Sequence, residues 1–165
     1  MKKVKKLFAF LTTLSMVLMM SAHVMAAVDL NAKYEVDTNK IQGWPQAADI
    51  ASDTGILMDA DTGTVLFDKG GDQQRYPASI TKIMTTLLAL ENGNLSDTVT
   101  FSSDAVYKTE GSGIARDVGE QMTLEQCLYA VMLESANECA YAVAEHIGGT
   151  MENFVSMINQ KAAEL

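Results

Sequence analysis

The sequence predicts an α+β fold in which a β-hairpin precedes a helical subdomain. Three observations carry this expectation. Two short apolar runs, Gly55-Ile56-Leu57-Met58-Asp59 and Thr64-Val65-Leu66-Phe67-Asp68, flank the turn Ala60-Asp61-Thr62-Gly63. Apolar residues then recur at i, i+3, i+4 spacing in successive segments from Ile80 onward. No internal repeat or strand–helix alternation is present that would indicate a solenoid or a parallel sheet.

In chain order, residues 1–26 have a basic start (Lys2, Lys3, Lys5, Lys6), an apolar run from Leu7 to Met20 and a close at Val24-Met25-Ala26. Such a segment is expected to be a cleaved export signal. A membrane anchor is the competing reading, but the run is short against the about 20 apolar residues needed to span a bilayer. Residues 27–52 are polar and aperiodic, a leader with Trp44-Pro45 expected to dock onto the body. In the hairpin, hydrophobicity is continuous and not alternating, so both faces are expected to be covered. Lys69 to Arg75 is a polar loop.

Pro77 suits a helix entry, where a missing N–H has no consequence. The helix that follows is expected to bury Ile80, Ile83, Met84, Leu87 and Leu88 and to stop at Asn92-Gly93-Asn94. Thr98 to Phe101 is briefly extended, and residues 102–120 are irregular apart from one short helix near Ala105. Within them Glu110-Gly111-Ser112-Gly113 reads equally well as the rim of a site and as a plain surface loop. Thr123-Leu124-Glu125-Gln126 has the form of a capping box. It opens a helix expected to face inward with Leu124, Leu128, Val131 and Met132. A break near Glu134 to Asn137, a helix from about Glu138 to Ile147 and a last helix with Phe154, Met157 and Ile158 inward complete the chain.

Composition excludes several classes. The net charge is −9, and more negative still without the four lysines of the export signal, which argues against nucleic acid as a partner. The two cysteines, Cys127 and Cys139, have no metal-ligand spacing. In an antiparallel helix pair their depths differ by roughly 9 Å at about 1.5 Å per residue, so two buried thiols are expected rather than a disulfide. Beyond the export signal His146 is the only histidine. Neither a Ser-His-Asp triad nor a zinc site is then available. A serine enzyme built on this chain needs a lysine as its base.

Ser79-x-x-Lys82 supplies that pair. Three residues apart on a helix, hydroxyl and amine share a face, and the helix start favours a developing oxyanion. Lysine accepts the serine proton only when neutral, which calls for a desolvated site. Taken alone, the motif reads more simply as a capping serine followed by a solvated lysine, since four residues carry little information. Ser135-Ala136-Asn137, presented between two helices, offers a further hydroxyl and an amide, although Ser and Asn also serve there as simple caps. The combination of S-x-x-K with a later S-x-N is an established signature of class A β-lactamases and penicillin-binding proteins.

On these residues the chain resembles the serine D-alanyl-D-alanine carboxypeptidases, the low-molecular-weight penicillin-binding proteins. The likeness runs from about Gly55 to Leu165. It includes the stretch from Met58 to Leu66, the block Pro77-Ala78-Ser79-Ile80-Thr81-Lys82-Ile83-Met84-Thr85, Leu133 to Glu138, and Phe154 to Ala162. The resemblance implies a β-lactamase/transpeptidase-like catalytic domain over 53–165. It implies that Ser79 attacks the carbonyl between the terminal D-alanines of a peptidoglycan stem peptide, with Lys82 as base. Ser135 would relay a proton to the leaving amine, and Asn137 would bind the substrate amide and help fix Lys82. No metal or cofactor is implied; β-lactams are implied as acylating inhibitors, and the outer face of the membrane or the cell wall as the location.

The family continues into a Lys-Thr-Gly strand that binds the substrate carboxylate, and that tripeptide does not occur in residues 1–165. The remaining strands of the family's sheet are therefore expected to be absent, and the chain to be an incomplete form, inactive and poorly folded alone. Two other readings share the same residues. One is a class A-like β-lactamase on the same scaffold, disfavoured by Ala136 within the second motif. The other is a non-catalytic exported module that binds the wall, with both motifs reduced to caps.

Overall fold

The computed structural model describes Asp29, 31–48 and 50–165; the export signal expected over residues 1–26 lies outside the described residues. The chain divides into two compact units, one ending at Arg75 and the other beginning at Tyr76.

In the first unit, strands β1 (Gly55–Met58) and β2 (Val65–Lys69) pair antiparallel, with Ile56 opposite Asp68 and a bulge between Leu57 and Met58. The turn is locked by Asp59, whose Oδ1 accepts the Thr62 amide at 2.8 Å and the Thr62 hydroxyl at 2.6 Å. Gly63 completes it at φ 69, a left-handed conformation that favours glycine. Around a 3₁₀ turn at Asp37–Lys40, the leader lies against β2: Trp44 Nε1 donates to the Leu66 carbonyl at 3.0 Å, and the Asp68 amide donates to Thr38 Oγ1 at 3.4 Å.

The expectation of a hairpin covered on both faces is overturned. Ile56, Leu57, Met58 and Leu66 are 54%, 57%, 51% and 40% exposed. The physical reason is supply: two strands cannot cover themselves. The leader reaches part of one face, leaving an open apolar cavity of about 750 Å³ lined by Trp44, Ile50, Ile56, Leu57, Leu66 and Phe67 among others.

The second unit holds helices α1 (Thr81–Asn92), α2 (Ser103–Tyr107), α3 (Leu124–Leu133), α4 (Asn137–Gly148) and α5 (Met151–Glu164). It also contains a second antiparallel pair, β3 (Thr98–Thr100) with β4 (Gln121–Thr123), in which Val99 faces Met122. Strand β4 has only one apolar residue, too little alternation for a sequence pattern to register it. Helix α4 is central and packs against α1, α2, α3, α5 and β3. Its buried side chains include Ala142 and Ala144, small enough to let neighbouring helices approach closely, together with Cys139 and Val143.

Two inward stripes differ from expectation. On α1 the buried residues are Thr85, Leu88 and Ala89, while Ile80 and Ile83 are 69% and 60% exposed. Periodicity identifies an apolar stripe but not where a partner helix begins to cover it. On α3 the capping box of Thr123 and Gln126 forms as expected and Leu124, Leu128 and Val131 are buried, but Met132 is 51% exposed.

The cysteines are two buried free thiols, as expected, but the predicted 9 Å offset is wrong, because they touch. Ser135 adopts φ 55, and the Ala136 amide reaches back to the Ala130 carbonyl at 3.2 Å. That bond tucks the junction back along α3. Cys127 then lies three residues before the acceptor Ala130 and Cys139 three after the donor Ala136, at matching depths.

Candidate active site

Ser79 does not sit on the regular helix. It lies on a 3₁₀ turn, Ala78–Ile80, that leads into α1, and the preceding Ala78 has φ 47. Left-handed backbone at a non-glycine residue costs about 1–3 kcal/mol and persists only where the surroundings hold it. Among the described residues, three non-glycine positions have positive φ, and two of them, Ala78 and Ser135, flank or form this site.

Lys82 Nζ lies 3.3 Å from Ser79 Oγ and donates to Asn137 Oδ1 at 2.5 Å. Ser135 Oγ donates to Ser79 Oγ at 3.0 Å. The four residues named from the sequence thus converge, two from the entry to α1 and two from the α3–α4 junction. Lys82 is half-buried rather than sealed from solvent, and no carboxylate among the described residues lies within ion-pair distance of its amine. The amine is therefore held by a neutral amide and the Ser79 hydroxyl, not by an acid.

The orientation of the Asn137 amide follows from its other partner. Its Nδ2 donates to the Glu110 carbonyl, which can only accept, so the amide oxygen must face Lys82. The Asn137 backbone amide donates to the Ser112 carbonyl at 2.8 Å. The loop Glu110-Gly111-Ser112-Gly113 therefore closes directly onto the second motif and rims the site. Its glycines were the only sequence signal for this, and they do not distinguish a rim from a surface loop. The backbone carbonyls that do the work carry no sequence signature at all.

The remaining candidates stand apart. His146, in the last turn of α4, has Nε2 at 3.5 Å from Asp97 Oδ2, and its nine-residue separation from Asn137 along α4 is about 13 Å. Among the described residues no group of three or more His, Cys, Asp or Glu is disposed to hold a metal ion. A nucleophilic hydroxyl, an amine within reach of its proton, a second hydroxyl bridging to the same oxygen and an oriented amide form a constellation suited to acyl transfer.

Comparison with known proteins identifies the family. A family model described as D-alanyl-D-alanine carboxypeptidase matches residues 40–165. The chain is 41% identical over 117 residues to the D-alanyl-D-alanine carboxypeptidase DacF of Bacillus subtilis, covering 68% of this chain and 30% of that protein. To the carboxypeptidase DacA of Escherichia coli it is 31% identical, covering 95% of this chain and 39% of the relative. Among solved structures, penicillin binding protein 5 from Haemophilus influenzae superposes with a TM-score of 0.66 at 29% identity, over 73% of this chain and 37% of that one. The chain thus spans well under half the length of each of these relatives.

Proposed function

The chain belongs to the D-alanyl-D-alanine carboxypeptidase family, and from that premise we propose that Ser79 is the nucleophile of a serine carboxypeptidase acting on peptidoglycan stem peptides. Ser79 Oγ attacks the carbonyl carbon between the two terminal D-alanines, and its proton passes to the neutral amine of Lys82. The tetrahedral intermediate collapses with cleavage of the C–N bond. The leaving amine takes a proton through Ser135 Oγ, resupplied from Lys82, and D-alanine departs. Water then hydrolyses the Ser79 ester. Asn137 Oδ1 accepts from Lys82 Nζ, which holds the amine beside Ser79 Oγ. The Ser79 backbone N–H, at the entry to α1, supplies one oxyanion donor.

One observation carries this reading: Lys82 Nζ and Ser135 Oγ lie 3.3 Å and 3.0 Å from the same oxygen, Ser79 Oγ. Within the family's chemistry, β-lactams acylate the same serine. The basic, apolar and small-residue succession of residues 1–26 supports export, placing the reaction outside the membrane.

The test is labelling by a fluorescent penicillin. It is measured on the 165-residue chain and on a chimera continuing it with the downstream part of the Bacillus subtilis relative. The chimera labels and releases D-alanine from a peptide ending in D-Ala-D-Ala, and Ser79→Ala abolishes both. Labelling that survives Ser79→Ala sinks the assignment. Rapid turnover of a chromogenic β-lactam by the chimera turns it into a β-lactamase instead.

A further inference from the structure

Glu138 is the one charged residue buried among the described residues, at 7% exposure, and the mechanism above does not use it. A carboxylate is expensive to bury unless its oxygens are bonded. No lysine, arginine or histidine among the described residues lies within ion-pair distance of it. Its partner is backbone: Oε1 accepts the Ile114 amide at 2.5 Å. The other oxygen occupies the space a side chain at Gly113 would need, since a Cβ there would meet Oε2 at 2.5 Å and Oε1 at 2.8 Å. A side chain at position 113 would have to push the Glu138 carboxyl group aside.

The same loop reaches the site two residues earlier. Ser112 and Glu110 accept from the Asn137 backbone and side-chain amides, and Gly111 between them has φ 88. Arg116 grips the other side of Ile114, its Nη2 donating to the Ile114 carbonyl at 3.1 Å. The adjacent residues Asn137 and Glu138, on the first turn of α4, thus hold opposite ends of one five-residue strap.

We propose that Glu138 is a positioning residue: by anchoring the strap at Ile114 it fixes the Glu110 carbonyl that orients the Asn137 amide, and so sets the acceptor that faces Lys82. The proposal rests on Lys82 and Asn137 having the roles given above. It requires a hydrogen-bond acceptor at position 138, not a charge. Glutamine therefore substitutes for it and alanine does not. A purely structural buried acid, or one acting only on the dipole of α4, behaves differently.

The experiment uses the 165-residue chain, with amide hydrogen exchange and NMR of the Asn137 side-chain amide. In Glu138→Ala, exchange at Ile114 and at the Asn137 backbone rises about 10-fold or more, the loss expected for a bond to a charged acceptor. The Asn137 side-chain amide protons, freed from the Glu110 carbonyl, exchange faster as well, while α5 stays as protected as before. Glu138→Gln keeps both signals within about threefold of the parent, a residual inside the spread for a neutral acceptor. Gly113→Ala, whose new methyl group would push directly against the Glu138 carboxylate, reproduces the alanine result. Unchanged protection at Ile114 in Glu138→Ala overturns the proposal. So does a loosening spread equally over α1 to α5, or a glutamine variant as damaged as the alanine one. Penicillin labelling reports separately on Ser79, so a failure of the reaction assignment is distinguishable from a failure of this one.

Discussion

Replacing Asn137 by alanine tests the site where its two halves meet. The substitution removes the acceptor for Lys82 Nζ, a bond of 2.5 Å, and the donor to the Glu110 carbonyl. It leaves the backbone bond to Ser112 at 2.8 Å. The first of the lost bonds is partly buried and involves an amine; the second is open to solvent, so water replaces much of it. Together they amount to roughly 2 kcal/mol, taking about 1.5 for the first and about 0.5 for the second. For a domain of this size that is a fall in melting temperature of about 4–8 °C. The effect on chemistry is larger, because an unaligned base forfeits about 10²-fold or more in proton transfer. Melting is followed by circular dichroism and acylation by the rate of fluorescent-penicillin labelling in the chimera. Asn137→Asp separates geometry from charge: a carboxylate against the amine stabilises its protonated form, so labelling is lost at neutral pH. Labelling within threefold of the parent in Asn137→Ala, despite the fall in melting temperature, refutes the claim that this amide aligns the base.

Three further outcomes follow from the packing and the titrating groups. In Gly148→Ala the new methyl would stand 2.7 Å from Phe154 Cβ and 2.8 Å from its backbone nitrogen, a collision with main chain that destabilises by about 1–3 kcal/mol and shows as a lower urea midpoint; an unchanged midpoint contradicts the packing. Cys127 and Cys139 are both fully buried, so the folded chain resists thiol-specific disulfide reagents and releases two equivalents only on unfolding; fast reaction of the native chain is the contrary result. The Asp97 carboxyl is held below the ordinary carboxylate range by the Asn94 amide and then by His146. A depressed folded-state pKa means stability that is complete above the ordinary value of about 3.9 and lost as pH falls below it. Asp97→Asn accordingly lowers the melting temperature at pH 6 and converges with the parent in strong acid, whereas a constant gap at all pH values excludes the linkage.

What the sequence by itself determined is the local part. A hydroxyl and an amine three residues apart meet wherever the backbone is helical or nearly so, and Ser79 and Lys82 do, although through a 3₁₀ entry. The capping box at Thr123, the stop at Gly93 and the turn at Asp59 are equally short-range, with donor and acceptor a few residues apart. Tertiary structure decided everything that depends on a distant partner. It chose Thr85, Leu88 and Ala89 over Ile80 and Ile83 as the buried side of α1, because the helices that pack on α1 (α3, α4 and α5) leave Ile80 and Ile83 uncovered. It drew the β4 strand from a stretch with one apolar residue, because β3 was there to pair with it. It brought Cys127 against Cys139 by folding the junction back onto Ala130. The same left-handed turn at Ser135 carries its hydroxyl to Ser79, and the strap over Asn137 is built from backbone carbonyls that any residue could supply. Side-chain chemistry is written residue by residue, but which groups share a site is settled by chain reversals whose partners lie dozens of residues away.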